Sequence, residues 1–283
     1  MKLFVTDLDG TLLSSDHTCS DYNMETLKKA SSMGVKICIA SGRSYGDIIK
    51  LIKGYDLNPY IISSNGASAY DDKGNKIHSV SIPKNEVVQI LQYLDSKNLQ
   101  YEASTDEYTY ATQDGLNLLH KELEDVGESD TVKKNKLYND IIGLVLSQKN
   151  LKIVPTLEDL LNEVDSVNSI SSLSAYLHKI KNAKRHFTMD SRLSTFSSVK
   201  YNFELTSSKT SKGVALTKLA DSLNIPLENV AAIGDNYNDI SMLKVAGYKG
   251  AMANAVPNVI SLAEYIAPSN DENGVAEFLE SLL

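Results

Sequence analysis

The sequence predicts an α/β protein in which a parallel sheet is interrupted by a second, inserted α/β domain. Three observations carry this reading. Short apolar strands alternate with helical patterns at both ends of the chain, as βα units require. Between about Pro83 and Arg192 that alternation breaks down, over a length no ordinary loop reaches, so the stretch is expected to fold as a domain of its own. The chain has 283 residues, 42% hydrophobic and 23% charged, which is enough to bury a sizeable core.

The first strand is expected at Leu3 to Thr6. A helix follows at about Ser20 to Met33 and closes at Gly34, where a left-handed cap is cheap. Val35 to Ala40 reads as the second strand, leading into a helix over Ser44 to Lys53. The third strand, Tyr60 to Ser63, ends at Asn65-Gly66, and Asp71-Asp72-Lys73-Gly74-Asn75 reads as the turn of a hairpin. The insertion mixes helices (Lys84 to Ser96, Gly115 to Val126, Thr156 to Glu163) with strands at Ile141 to Ser147 and Tyr201 to Thr206 near its exit. Alternation then resumes with helix Ser211 to Leu223, strand Val230 to Ile233 and helix Asp239 to Ala246. A weaker strand and helix and a tail helix at Gly274 to Leu282 complete the pattern.

Composition narrows the function. A net charge of −8 opposes non-specific nucleic-acid binding, which needs a cationic face, and equally an anionic membrane surface. The run Lys133-Lys134-Asn135-Lys136 lies close to Glu122, Glu124 and Asp125 and reads as a solvated loop. Cys19 and Cys38 make no disulfide framework. His17, His78, His120, His178 and His186 show no metal-ligand spacing, so no zinc site is expected. No apolar stretch reaches membrane-spanning length, and Met1 to Val5 is too short for a signal peptide. The default location is cytoplasmic.

Four pieces fall where core strands end, the place where open parallel sheets bind ligands. Asp7-Leu8-Asp9-Gly10-Thr11 follows strand one. Two carboxylates at this spacing share one side of an extended segment, one to attack phosphorus and one to handle a proton; the plainer reading is an Asp-Gly turn. Ser41-Gly42-Arg43 follows strand two, where a hydroxyl and N–H groups at a helix start form an anion site, or Ser41 merely caps the helix. Lys212 lies just inside a helix N-terminus, opposing the dipole unless an anion compensates; otherwise it is an ordinary exposed lysine. Asp235, Asn238 and Asp239 lie in Gly234-Asp235-Asn236-Tyr237-Asn238-Asp239, where Asn238 or Asp239 also reads as a cap. Carboxylates converging on Asp7 and Asp9 repel unless a hard cation sits among them, and magnesium is the natural choice.

These motifs resemble the haloacid dehalogenase superfamily and, within it, the Cof-like phosphatases with a large α/β cap of the second (C2, IIB) type. The resemblance covers essentially the whole chain and rests on Asp7-x-Asp9-Gly10-Thr11 together with Gly234-Asp235-x-x-Asn238-Asp239. It implies a Rossmann-like core over 1–82 and 193–283 and a cap over 83–192 that excludes water and reads the leaving group. It also implies a phosphoric monoester hydrolase in which Asp7 forms an aspartyl-phosphate and Asp9 acts as acid and then base. Asp7, the carbonyl of Asp9, Asp235 and Asp239 would serve the magnesium ion. Ser41, Gly42, Lys212 and Asn238 would serve the phosphoryl group, with Asn65 and Gly66 lining the same cleft. Relatives often carry glycines where this chain reads Gly250-Ala251-Met252-Ala253-Asn254-Ala255.

The implied partner is a small phosphorylated metabolite, a sugar phosphate or a phosphorylated cofactor, acted on by a monomer or homodimer. A phosphomutase of the same fold and a non-catalytic metabolite sensor are the alternatives. Within the insertion, Tyr108 and Tyr110 read either as packing or as a stacking platform. Arg185, His186 and Arg192 read either as surface groups or as contacts to an anion.

Overall fold

A computed structural model of the chain describes residues 1–126, 141–143, 145, 148, 150–197 and 199–283; the Lys133 to Lys136 run lies outside them. The chain divides into two compact units. The first comprises Met1–Gly42, Ile52–Ser79 and Thr210–Leu283, and the second Arg43–Leu51 and Val80–Lys209.

The first unit is built on an eight-stranded sheet. Its strands are β1 (Leu3–Thr6), β2 (Lys36–Ala40), β3 (Tyr60–Ser63), β4 (Ser68–Tyr70), β5 (Lys76–Ser79), β14 (Val230–Gly234), β15 (Tyr248–Met252) and β16 (Tyr265–Ala267), in the order β16-β15-β14-β1-β2-β3-β4-β5. All neighbours from β16 to β3 run parallel. The hairpin β4–β5 is antiparallel and turns at the expected residues. β1 sits at the centre with all four residues buried, which explains why it reads as an unbroken apolar run. Helix α1 (Asp21–Ser32) starts where the Ser20 hydroxyl accepts the Asn23 N–H at 3.1 Å.

The second unit holds a six-stranded sheet in the order β12-β13-β11-β7-β8-β9. Its strands are β7 (Gln100–Ser104), β8 (Thr109–Thr112), β9 (Leu151–Val154), β11 (Ser169–Leu173), β12 (Leu193–Phe196) and β13 (Asn202–Ser207), antiparallel except for β8–β9. Helices α3 (Lys84–Ser96) and α6 (Leu177–Thr188) bury Val87, Leu91, Leu94, Ile180 and Phe187 with Tyr101, Phe203 and Leu205 of the sheet. A two-stranded pair, β6 (Ile82–Pro83) with β10 (Ser166–Val167), and the short helix α5 (Leu157–Glu163) complete it.

Three details differ from the sequence reading. The second unit extends past Arg192 to Lys209, because β12 and β13 pair with each other and β13 with β11. Most of α2 (Tyr45–Ile52) groups with the second unit rather than with the parallel sheet: the Gly46 N–H donates to the Asp106 carbonyl at 3.0 Å. The strand expected at Ile141 to Ser147 is helical at residues 141–143 and 145, while 144, 146 and 147 lie outside the described residues. Ile141, Ile142 and Val145 share one helical face and bury against Leu116, Leu119 and Leu123 of α4 (Gln113–Asp125). That packing overrides the strand preference of branched side chains.

Candidate active site

Adjacent parallel strands β14, β1 and β2 end together, with Thr6 opposite Ile233 on one side and Ile39 on the other. Asp7, Asp235 and Ser41 therefore leave the sheet at one edge. The Asp7 N–H extends the ladder to the Ile233 carbonyl at 3.0 Å, which fixes its backbone. Both Asp7 and Asp239 are buried, and Asp235 is half-buried.

The lysine arrives from elsewhere in the sequence. Ser211 caps α7 (Lys212–Ser222), its hydroxyl accepting the Val214 N–H at 3.2 Å. Lys212, the first helical residue, has no solvent exposure, so it is not the ordinary surface lysine that a helix start would otherwise suggest. Its Nζ donates to Asp7 Oδ1 at 2.5 Å and to Asp239 Oδ1 at 2.6 Å. The other oxygen of Asp239 accepts the N–H groups of Asp235 and Asn236 at 3.0 and 2.9 Å. Asp239 thus organises the loop after β14 as well as the lysine. The Thr11 hydroxyl donates to Asp235 Oδ1 at 2.9 Å. Gly10 has φ +77°, and a Cβ there would lie 2.7 Å from Asp235 Oδ2, so only glycine lets the loop after β1 approach that carboxylate.

Burial pushes the Asp7 carboxyl well above its ordinary range, and Asp239 and Asp235 add to the effect against the pull of Lys212. Asp235 is pushed up to about 6, first by burial and then by Asp239, with Thr11 and Lys212 opposing. For Lys212 burial works downward, but the carboxylates of Asp239 and Asp7 outweigh it and hold the ammonium more firmly charged than in water. Each of Asp7, Asp235 and Asp239 offers an oxygen, all within 4.8 Å of one another. Three carboxyl groups face one ammonium, so the cluster is short of positive charge whenever all three are ionised. An oxygen-only donor set with that deficit fits a hard divalent cation.

The remaining predicted residues lie around this cluster. Asp9, half-buried, follows Asp7 by two residues and forms a main-chain bridge with Leu13. Ser41 is buried, its N–H donating to the Ile62 carbonyl at 2.8 Å and its own carbonyl accepting from the Asn65 N–H at 3.0 Å. Gly42 continues the same loop. Asn238 does not reach the carboxylates by any described hydrogen bond; its Nδ2 donates to Asn65 Oδ1 at 2.9 Å.

Sequence reasoning missed two supports. Thr11 was visible only as part of a motif, and its hydroxyl holds Asp235. Asn254 donates from Nδ2 to the Gly10 carbonyl at 2.8 Å and accepts the Asn270 N–H at 3.1 Å. No local pattern marks either role, because both partners are distant in sequence.

Within the second unit Tyr108, His186 and Arg192 find internal partners. Tyr110 is buried, and Lys152 Nζ lies 3.6 Å from the Tyr108 ring centroid. His186 stacks on Tyr93 at 4.0 Å. Arg192 pairs with Asp190 at 2.7 Å and Glu86 at 3.8 Å.

Comparison with known proteins places this arrangement. Residues 4–279 match the family described as haloacid dehalogenase-like hydrolase. The chain is similar to phosphatase YwpJ of Bacillus subtilis (strain 168), with 34% identity over 100% of both chains. It is also similar to the 5-amino-6-(5-phospho-D-ribitylamino)uracil phosphatase YwtE of the same organism, with 33% identity over 100% of this chain and 98% of that protein. A solved haloacid dehalogenase-like hydrolase from B. subtilis superimposes with a TM-score of 0.85 at 35% identity, covering 100% of both chains. Among the described residues no helix is long and apolar enough to cross a membrane. The chain belongs to the haloacid dehalogenase-like hydrolases and is an enzyme of the phosphatase kind.

Proposed function

We propose that the chain is a magnesium-dependent phosphomonoesterase that works through an aspartyl-phosphate on Asp7. The observation that carries the reading is the buried cluster of Asp7, Asp235 and Asp239 around Lys212 at the carboxyl edge of the parallel sheet.

In the first half-reaction a carboxylate oxygen of Asp7 bonds to phosphorus while the bond from phosphorus to the ester oxygen breaks. Asp9, two residues along the same loop, gives its proton to the departing alcohol. In the second, water attacks the phosphorus of the acyl phosphate, Asp9 takes the water's proton, and phosphate leaves with Asp7 restored. Lys212 holds Asp7 by one oxygen, which keeps the nucleophile oriented, and its ammonium offsets charge gathering on the phosphoryl oxygens. Ser41, Gly42 and Asn238 supply further donors to those oxygens. Asp7, the Asp9 carbonyl, Asp235 and Asp239 would hold magnesium, which when bound supplies the positive charge that the cluster lacks.

The substrate class is a small phosphorylated metabolite, a sugar phosphate or a phosphorylated cofactor or its precursor. The name of YwtE supports it, since that compound joins a phosphorylated sugar alcohol to a pyrimidine.

The test is phosphate release from a panel of such monoesters, with magnesium and with chelator, beside Asp7→Asn. Metal-dependent release that the variant lacks is expected. Release unaffected by chelator or by the variant would overturn the mechanism, and phosphate moved within the substrate rather than set free would mean a mutase.

A further inference from the structure

Three consecutive buried residues after β3, Ser64, Asn65 and Gly66, have φ values of 48°, 55° and 98°. A left-handed run is rare for residues that carry a Cβ, and asparagine tolerates it better than most. The Ser64 hydroxyl is buried with no hydrogen-bond partner among the described residues, so local satisfaction does not account for the turn. Its contacts do. The Asn65 N–H donates to the Ser41 carbonyl at 3.0 Å. The Thr210 hydroxyl donates to the Gly66 carbonyl at 2.6 Å. A Cβ on Gly66 would lie 2.2 Å from the Ser211 carbonyl oxygen and 2.8 Å from the Lys212 nitrogen. Finally, Asn65 Oδ1 accepts from Asn238 Nδ2 at 2.9 Å. One short turn therefore touches each of the loops that carry Ser41, Lys212 and Asn238.

We propose that Asn65 is a positioning residue for phosphoryl binding, acting through Asn238; the inference rests on the phosphatase reading above. A side-chain amide rotates over a broad, shallow torsion. Fixing one N–H of Asn238 on Asn65 sets the directions of its second N–H and of its carbonyl oxygen, because the amide is planar. The left-handed backbone at Asn65 aims its acceptor at Asn238 while its own N–H stays on Ser41. A right-handed or extended residue at this position would have to give up one of the two bonds.

The test is a double-mutant cycle in the full chain with magnesium present. Asn65→Gly keeps the left-handed backbone and its N–H while removing the acceptor that Asn238 uses, Asn238→Ala removes the donor, and the third variant combines them. Two quantities are read: affinity for inorganic phosphate by calorimetry, and kcat and KM for p-nitrophenyl phosphate. Asn65→Gly is expected to weaken phosphate binding by about fivefold, the worth of one hydrogen bond, and Asn238→Ala by at least as much. The combined variant should bind no more weakly than Asn238→Ala alone, and kcat/KM should follow the same non-additive pattern. Wild-type affinity in Asn65→Gly, or losses that multiply in the combined variant, would overturn the proposal. Wild-type protein that binds phosphate but hydrolyses no ester would overturn the phosphatase reading while the binding cycle still tests Asn65. Wild-type protein that binds no phosphate would overturn both.

Discussion

In the first unit Lys212 sits between Asp7 and Asp239, with Asp235 near by. In the second, Lys179 reaches Glu122 Oε1 at 2.7 Å, while the other Glu122 oxygen accepts from the Ser174 hydroxyl at 2.5 Å and the Ala175 N–H at 2.9 Å. The lysines and carboxylates are chemically alike; Glu122, Lys212, Asp7 and Asp239 are buried, whereas Lys179 and Asp235 are half-buried. The difference is the balance. Glu122 has one charge, one counter-charge and two further donors, and nothing is left over. The Asp7 cluster is short of positive charge, which is costly in a folded protein unless a ligand supplies it. A balanced pair has no charge left for a ligand to meet, whereas the Asp7 cluster is one that a hard cation fits. Glu102 stands between them: its Oε2 accepts from Gln148 Nε2 at 2.7 Å and the Ser171 hydroxyl at 2.9 Å, but its Oε1 has no partner among the described residues.

The sharpest way to break this contrast is activity. Asp7→Asn should lower phosphate release by about a thousandfold or more, whereas Glu122→Gln should leave kcat/KM near wild type. Comparable losses in the two variants would mean that charge imbalance does not distinguish the regions.

Stability should show the reverse. Glu122→Ala strips an acceptor from the Ser174 hydroxyl and the Ala175 N–H, while the half-buried Lys179 can turn to water, at a cost of about 2–3 kcal/mol in urea unfolding. A cost below about 1 kcal/mol would reduce Glu122 to a surface-like pair.

Glu102 gives a pH signature. Burial, reinforced by Glu204 and opposed by Gln148 and Ser171, pushes its pKa from the ordinary 4.5 to about 7. Between those values the folded chain keeps a proton that the unfolded chain has released, so stability is greatest below 4.5, falls as pH rises through the window and levels off above 7. The loss is about 3 kcal/mol for this group. Glu102→Gln should remove that slope, measured as the difference between the two proteins' unfolding midpoints from pH 4.5 to 8. Parallel profiles would refute the shift.

The smallest expected effect is on the metal side. Magnesium at about a hundredfold excess over its Kd should stabilise the wild type by about 2.7 kcal/mol, and Asp235→Asn should lose most of that gain. In chelator at pH 8 the same variant should be more stable than wild type, by about 1–2 kcal/mol, because it removes one of the repelling charges. A variant less stable than wild type without metal would show that the cluster is balanced after all.

Much of the site was legible because its pieces are local. Asp7 and Asp9 follow a strand whose unbroken apolar run marks it as central, and Asp235 follows another. The parallel core and α3 were equally plain, since periodic apolar residues with clear boundaries record burial directly. Of the second sheet only β13 was, from the expected strand at Tyr201 to Thr206. β7 reads Gln100-Tyr101-Glu102-Ala103-Ser104 and β11 reads Ser169-Ile170-Ser171-Ser172-Leu173, too polar and too short to stand out. Most of their polar residues are buried and hydrogen-bonded, as Ser172 is to the Gln100 carbonyl at 2.8 Å and Glu102 is to the half-buried Ser171.

The sequence by itself determined the alternation of strand and helix, the strand ends on which the acidic motifs stand, and hence the chemistry they carry. These are matters of residues a few positions apart, where propensity and periodicity act. Only the tertiary structure decided that Lys212 meets Asp7 across 205 positions and Asp239 across 27, and that Asn65 holds Asn238. It also decided that β12 and β13 extend the second unit past Arg192. Contacts of that kind depend on sheet order and strand register, and on which buried charges end up sharing one low-dielectric space. No local stretch of sequence records any of these.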